Sequence, residues 1–127
     1  MTLFLETLPA TECPPSNTLI KEEFSGYRLV ASQQPAISDF YSKAALNEPS
    51  RPDEDECRWA SCSLFPTRND VDLKLKAIKS LKRRYKFAVK LDVPVNSGHA
   101  YFTTGHIDFW MFKTFDPIAA VVATEAL

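Results

Sequence analysis

The sequence has few residues of the kinds that mark secreted, fibrous or membrane proteins. It holds only three glycines, three cysteines and two histidines in 127 residues. No window approaches the roughly 18 consecutive apolar residues that a membrane-spanning helix needs. The first eight residues contain no Lys or Arg, so they lack the basic start of a secretory signal. We therefore expect no membrane association and a cytoplasmic location.

The cysteines are too few and too scattered to predict a disulfide framework. Their number is odd, and only Cys57 and Cys62 lie near each other in the sequence. Cys57 follows an acidic stretch, which disfavours a thiolate, and Cys62 lies in a strand-like run where a thiol behaves as a small apolar residue. We expect neither a secreted disulfide framework nor a catalytic cysteine.

Length and composition predict one compact domain. A chain of 127 residues with 45% hydrophobic and 24% charged residues resembles an ordinary globular protein and can bury a single core. Its first 18 residues contain Pro9, Pro14 and Pro15, which exclude a helix interior or a central strand. We expect an N-terminal arm over 1–18, poorly ordered or packed back through its apolar residues, and a single α+β domain over 19–127.

Alternating apolar residues and turn signals predict several strands and two helices. Helices are expected at about 39–46 and 68–86. Strands are expected at about 27–31, 59–65, 87–93, 99–103, 106–112 and 118–123. Because the strands are concentrated late in the chain, we expect an α+β fold with a mixed or antiparallel sheet of about five to six strands, covered by the two helices.

The longer predicted helix has the clearest pattern. Thr67, followed three residues later by Asp70, is typical of a capping box at a helix start. Val71, Leu75 and Ile78 fall on one helical stripe and are therefore expected to face the core.

Charge is strongly separated along the chain, although the net charge is only −1. Residues 1–56 hold ten acidic and four basic side chains, whereas residues 66–90 hold nine basic and two acidic ones. The long helix therefore either presents a solvated basic face or binds an acidic partner. Nucleic acid would suit such a helix, but the pI near 6.1 does not favour it. The candidate binding residues are Lys76, Lys79, Lys82, Arg83, Arg84 and, outside the helix, Trp110.

Common catalytic signatures are missing: GxGxxG, GxxxxGK[ST], GxSxG and HExxH do not occur. No cofactor is expected. His106 and Asp108 share one face of a predicted strand with Trp110, so the carboxylate would orient the imidazole as a general base or simply satisfy a structural histidine. Since His99 is the only other histidine, no metal site is expected.

Polar residues on two other strands are candidates for lining a cleft. Ser61 and Ser63 lie on one face of the strand before the long helix, and Arg28 lies on the first strand. This layout resembles ADP-ribosyltransferase-like folds over about 40 residues, in which an early-strand Arg or His and a later Ser help to hold NAD. The resemblance implies a nucleotide-like substrate beside Arg28, Ser61, Ser63 and His106. Those enzymes commonly use a late Glu, for which this chain offers Glu125.

Missing motifs and surplus aromatic residues together favour a binding function. A sheet with one covered face does not easily bury six large side chains within 14 positions, although a thick core with aromatic pairs is the alternative. These six are Phe102, Phe109, Trp110, Met111, Phe112 and Phe115. The leading hypothesis is a small binding or regulatory protein that acts through a protein partner or self-association, and the alternative is the enzyme on a nucleotide-like substrate.

Overall fold

The computed structural model describes residues 3–10, 12–48 and 55–127. The prolines and acidic residues at 48–56 predict a solvated loop, and most of that segment lies outside these ranges. In chain order the elements are β1 (Phe24–Val30), a 3-10 helix (Ile37–Phe40), α1 (Glu56–Trp59), β2 (Cys62–Leu64), α2 (Arg68–Ala77), α3 (Leu81–Arg84), β3 (Phe87–Val93), β4 (Gly98–Thr103), β5 (His106–Met111) and β6 (Val121–Ala126).

The α+β class is confirmed, but the strands form two antiparallel sheets instead of one. The first sheet has the order β1-β3-β6 and the second the order β2-β5-β4. A bridge between Tyr27 and Phe65 joins the two, with their backbone N–H and C=O groups paired at 2.8 and 2.9 Å. The sequence predicts individual strands from local alternation, whereas their division between sheets depends on pairings that are distant in the chain.

The main core lies between the two sheets. Side chains of β3 such as Val89, Leu91 and Val93 pack there with Phe109 of β5 and Phe40 of the 3-10 helix. The opposite face of the first sheet is covered in part by α2. Burial on both faces accounts for the five apolar residues of the seven in β3, whereas Lys90 is half-buried and Asp92 is exposed. The predicted bounds of β3 at 87–93 are confirmed.

The start of α2 agrees with its predicted capping box. The Thr67 hydroxyl accepts a hydrogen bond from the Asp70 N–H at 3.1 Å, and the Asp70 carboxylate accepts one from the Thr67 N–H at 3.2 Å. Val71 and Leu75 are buried against the first sheet. These local contacts follow directly from residue spacing.

The continuous helix predicted over 68–86 is wrong. The chain leaves the helix after Ala77, and Ile78 is 40% exposed instead of lying in the core. The short α3 follows, and the Lys86 N–H then donates to the Val30 carbonyl at 3.1 Å. The helix ends early because the chain must return to the end of β1 before β3 begins.

Two other sequence assignments need correction. The helix predicted at 39–46 is a 3-10 helix over Ile37–Phe40 followed by turns. The strand predicted at 59–65 begins only at Cys62, because α1 occupies Glu56–Trp59. The acidic residues that suggested a solvated loop include Asp55, whose carboxylate caps α1.

The N-terminal segment packs against the second sheet. Phe4 forms a bridge with Phe112, and the Leu5 N–H donates to the Met111 carbonyl at 2.9 Å. The Glu6 carboxylate accepts a hydrogen bond from the Ser42 N–H at 2.9 Å. These contacts hold the N-terminal segment against the end of β5 and against Ser42.

A disulfide joins Cys13 to Cys57 across 44 residues, with a Cα separation of 5.4 Å. The sequence predicted no disulfide framework and did not reveal this one bond, since the two cysteines that are near in sequence are not the two that are near in space. Cys62 remains a buried free thiol, and burial raises its pKa. In the described ranges, no helix has both the length and the apolar character required to cross a membrane.

Candidate functional sites

Asp108 is the centre of a buried polar cluster on the outer face of the second sheet. Its side chain is only 3% exposed. One carboxylate oxygen accepts hydrogen bonds from the Ser61 hydroxyl at 2.8 Å and from His106 Nε2 at 3.2 Å, while the other accepts from Arg58 Nε at 2.8 Å. We call these four residues the Asp108 cluster.

Arg58 is the member of the cluster that the sequence did not reveal. It lies in α1, whose N-terminus is capped by the Asp55 carboxylate through the N–H groups of Cys57 and Arg58, at 2.8 and 3.4 Å. The Arg58 carbonyl also accepts from the Ser61 hydroxyl at 2.7 Å. Asp55 as a possible helix N-cap was the available signal, but the approach of α1 to β5 is a long-range contact.

The electrostatics of the cluster keep Asp108 ionised. Burial by itself would raise the pKa of this carboxyl, but hydrogen bonds from His106 and Ser61, together with the positive charge of Arg58, outweigh it. The pKa of Asp108 is therefore below its ordinary value. A buried carboxylate with three donors is also fully satisfied as a hydrogen-bond acceptor.

His106 occupies the open side of the cluster. Its side chain is 32% exposed, so the ring is fixed on one side by Asp108 and reaches solvent on the other. Tyr101 of β4 and Ser63 of β2 stand directly opposite Asp108 in the sheet register. The structure thus brings Ser61, His106 and Asp108 together, with Ser63 beside them.

Arg28, the remaining residue of the predicted cleft, has a different task. Its guanidinium donates to the backbone carbonyls of Ser63 and Asp39, each at 2.9 Å, and to that of Tyr41 at 3.0 Å. These bonds brace the gap between β1 and β2. The expected grouping of Arg28 with His106 is therefore not what the structure shows, because Arg28 engages backbone instead of joining the cluster.

The predicted binding residues fall into two groups. Trp110 is buried, and its indole N–H donates to the Cys57 carbonyl at 2.9 Å, so it does not offer a contact surface. Five basic side chains at the end of α2 and around α3 are exposed, and among them Arg84 makes an ion pair with Glu48 at 3.8 Å. The exposed five are Lys76, Lys79, Lys82, Arg83 and Arg84.

A second candidate site is an open cleft of about 740 Å³ at one end of the first sheet. It lies where β1 begins, β3 ends and the chain approaches β6. Three carboxylates line it, from Glu23, Asp92 and Asp116, and no Lys or Arg of the described residues does. The side chains of Phe24 and Phe115 form apolar parts of its wall. We call this site the acidic cleft.

Two of the three carboxylates of the acidic cleft accept hydrogen bonds from within the chain. One Asp116 oxygen accepts from the N–H groups of Ile118 and Ala119, at 3.0 and 3.3 Å, which fixes the turn before β6. One Asp92 oxygen accepts from the Ser25 hydroxyl at 2.9 Å. The turn fixed by Asp116 explains why β6 starts at Val121 instead of the predicted 118.

Exposed apolar side chains surround the acidic cleft. Val122 lines it and is 55% exposed. Three more large apolar residues near the cleft are exposed: Val95, Phe102 and Ile118. Val95 and Ile118 are sequence neighbours of lining residues, and Phe102 packs against Phe24.

Comparisons of the chain with protein-family models, with curated proteins and with solved structures found no match.

Proposed function

We propose that this chain is a small binding protein that takes a basic, extended segment of a protein partner into the acidic cleft. The observation that carries the proposal is the lining of the cleft, in which three carboxylates stand beside apolar walls without a basic side chain among the described residues. A site of this size and mixed character suits a few residues of a peptide.

The chemistry of the lining selects for lysine or arginine. Their ammonium or guanidinium groups would form charge-assisted hydrogen bonds with Asp92 of β3 and with Glu23, which directly precedes β1. Their aliphatic stems would lie on Phe24, Phe115 and Val122. An acidic partner, by contrast, would meet like charge here.

Fluorescence anisotropy with a labelled peptide of alternating lysine and valine tests this proposal. Asp92→Asn is expected to weaken binding about three- to tenfold, because one charge-assisted contact is lost at a partly exposed site. Glu12→Gln is the matched control, since Glu12 is exposed and lies outside the cleft. Binding should also weaken as salt is added. Equal affinity for the two variants would contradict the proposal.

A second candidate function is general-base catalysis at the Asp108 cluster on a nucleotide-like substrate. The observation that favours it is the partly exposed His106 ring held by a buried carboxylate, an arrangement that serves proton transfer. NAD hydrolysis is a suitable assay, given the resemblance to ADP-ribosyltransferase-like folds. His106→Gln should abolish any turnover, whereas Arg28→Lys should act only through stability.

A further inference from the structure

The two ends of β3, in the first sheet, carry opposite charges. Lys86 immediately precedes this strand and α3 lies just before it, whereas Asp92 lies near its other end, in the acidic cleft. Six residue steps of about 3.3 Å separate Lys86 from Asp92, or roughly 20 Å. We call the exposed side chains of Lys82, Arg83, Arg84 and Lys86 the basic end.

The strand β6 runs antiparallel to β3 between these two ends. It forms one edge of the first sheet, and in the described part of the chain no strand pairs with its outer side. The Leu127 N–H donates inward, to the Lys86 carbonyl at 2.9 Å. Backbone groups alternate along an antiparallel strand, so those of Thr124 and Ala126 point outward.

This edge has no outward lysine or proline, two of the residue types that usually keep edge strands apart. Its exposed side chains are Val122, Thr124 and Ala126, none of which is charged. Its single charged residue, Glu125, is bonded to Arg68 of α2 at 2.5 Å. Protective edges normally carry outward lysines or prolines. A register shift between Lys90 and Leu91 leaves Val122 as an extra residue, so the regular part of the edge is short.

We propose that a second copy of the chain docks on this edge, with β6 pairing antiparallel to β6 of its partner in a two-fold dimer. The proposal rests on the proposed function, because it identifies the source of the basic side chains as another copy, whose Lys86 adjoins β3 in extended chain and whose Lys82, Arg83 and Arg84 lie on α3. Antiparallel pairing reverses one copy relative to the other, so each acidic cleft meets a basic end. A two-fold arrangement makes both contacts at once and closes the assembly.

The apolar surroundings of both ends support the same occupant. Ile78 is exposed three residues before α3 begins, and Val122 and Ile118 are exposed beside the acidic cleft. Opposite charges together with apolar side chains are the composition that a specific interface needs. Pairing of two edges turns two three-stranded sheets into one of six strands, within the usual range of sheet size.

Light scattering during size-exclusion chromatography tests the dimer. The native chain is expected at twice the 14.3 kDa chain mass at micromolar concentration. Thr124→Pro should give a monomer, because it removes an outward N–H where a proline is tolerated on a sheet edge. Ala126→Lys is the second variant, and circular dichroism checks that both are folded.

Charge reversal tests the pairing of the two ends. Asp92→Lys and Lys86→Glu should each weaken the dimer about two- to threefold at low salt, because β6 separates each β3 from the dimer edge, and the double variant should recover most of that loss. Recovery requires the ends of different copies to meet, since the two residues lie about 20 Å apart within one copy. Failure of the double variant to recover would overturn the two-fold arrangement.

The same samples separate failure of the dimer from failure of the proposed function. If the native chain is a monomer that still binds the lysine-valine peptide through Asp92, the dimer is overturned and the proposed function stands. If Thr124→Pro is monomeric and binds the peptide at least as tightly as the native chain, both are supported. A series of larger head-to-tail species would overturn the closed dimer.

Discussion

The Asp108 cluster and the acidic cleft hold carboxylates in opposite circumstances. Asp108 is buried and accepts from three side chains, so its bonding capacity is used within the fold. Asp92 is exposed and accepts from one hydroxyl, so it retains capacity for another molecule. Buried polar groups must be satisfied by the chain itself, whereas exposed ones contribute little to stability and are available for binding.

Replacing the two aspartates in parallel tests this contrast most strongly. Asp108→Ala should lower the free energy of unfolding by about 3 to 5 kcal/mol, because Arg58, Ser61 and His106 lose their shared acceptor. Asp92→Ala should change it by less than about 0.5 kcal/mol. Urea denaturation measures both. Equal effects would mean that burial does not distinguish the two sites.

Loss of the disulfide should have a smaller effect on stability, and it should affect the two regions unequally. Cys13→Ser is expected to destabilise the fold by about 2 to 4 kcal/mol, as for other disulfides that close loops of this length. Cys57 precedes Arg58 and its carbonyl accepts from Trp110, so the change should appear first at the Asp108 cluster.

Two signals report on the regions separately in that variant. Tryptophan fluorescence should shift, since the Trp110 indole donates to Cys57 of α1. Peptide affinity at the acidic cleft should stay within about twofold, because neither cysteine lines the cleft. A large loss of peptide affinity would show that the two regions are coupled. Addition of reductant to the native chain should reproduce the variant.

The sequence predicted features that depend on neighbours in the chain. The capping box of Thr67 and Asp70 and the bounds of β3 are examples, since both follow from spacing over a few residues. The separation of acidic and basic residues was also visible. It indicated opposite charges, although not that they would lie at opposite ends of one strand.

Features built from distant segments were missed for a physical reason. The acidic cleft joins Glu23, Asp92 and Asp116, and the disulfide joins residues 44 apart. Neither has a local signature, because each exists only once the two sheets have formed. Ile78 shows the opposite error. Its spacing extends the apolar stripe of Val71 and Leu75, but the helix ends before it because the chain turns there.

The smallest expected effect concerns His99, which lies under the N-terminal segment on the same sheet as the Asp108 cluster. Its ring contacts Phe4 and Phe112, and Nδ1 lies 2.9 Å from the Thr18 hydroxyl. Partial burial lowers the pKa of His99. The unfolded chain therefore takes up a proton at this residue before the folded chain does.

The sign of the pH effect follows from that order. The contribution of His99 to stability is present above its ordinary pKa of about 6.5 and is lost as the pH falls from there through the lowered folded value. Urea midpoints between pH 7 and 5 should therefore decline, and His99→Gln should flatten part of that decline.

His106→Gln is the matched control, since it removes the other histidine of the chain and leaves the His99 contacts in place. If His99→Gln retained the full decline while His106→Gln abolished it, the acid sensitivity would belong to the Asp108 cluster instead. Peptide affinity at the acidic cleft, measured on the same samples, shows whether the loosened N-terminal side affects the opposite region.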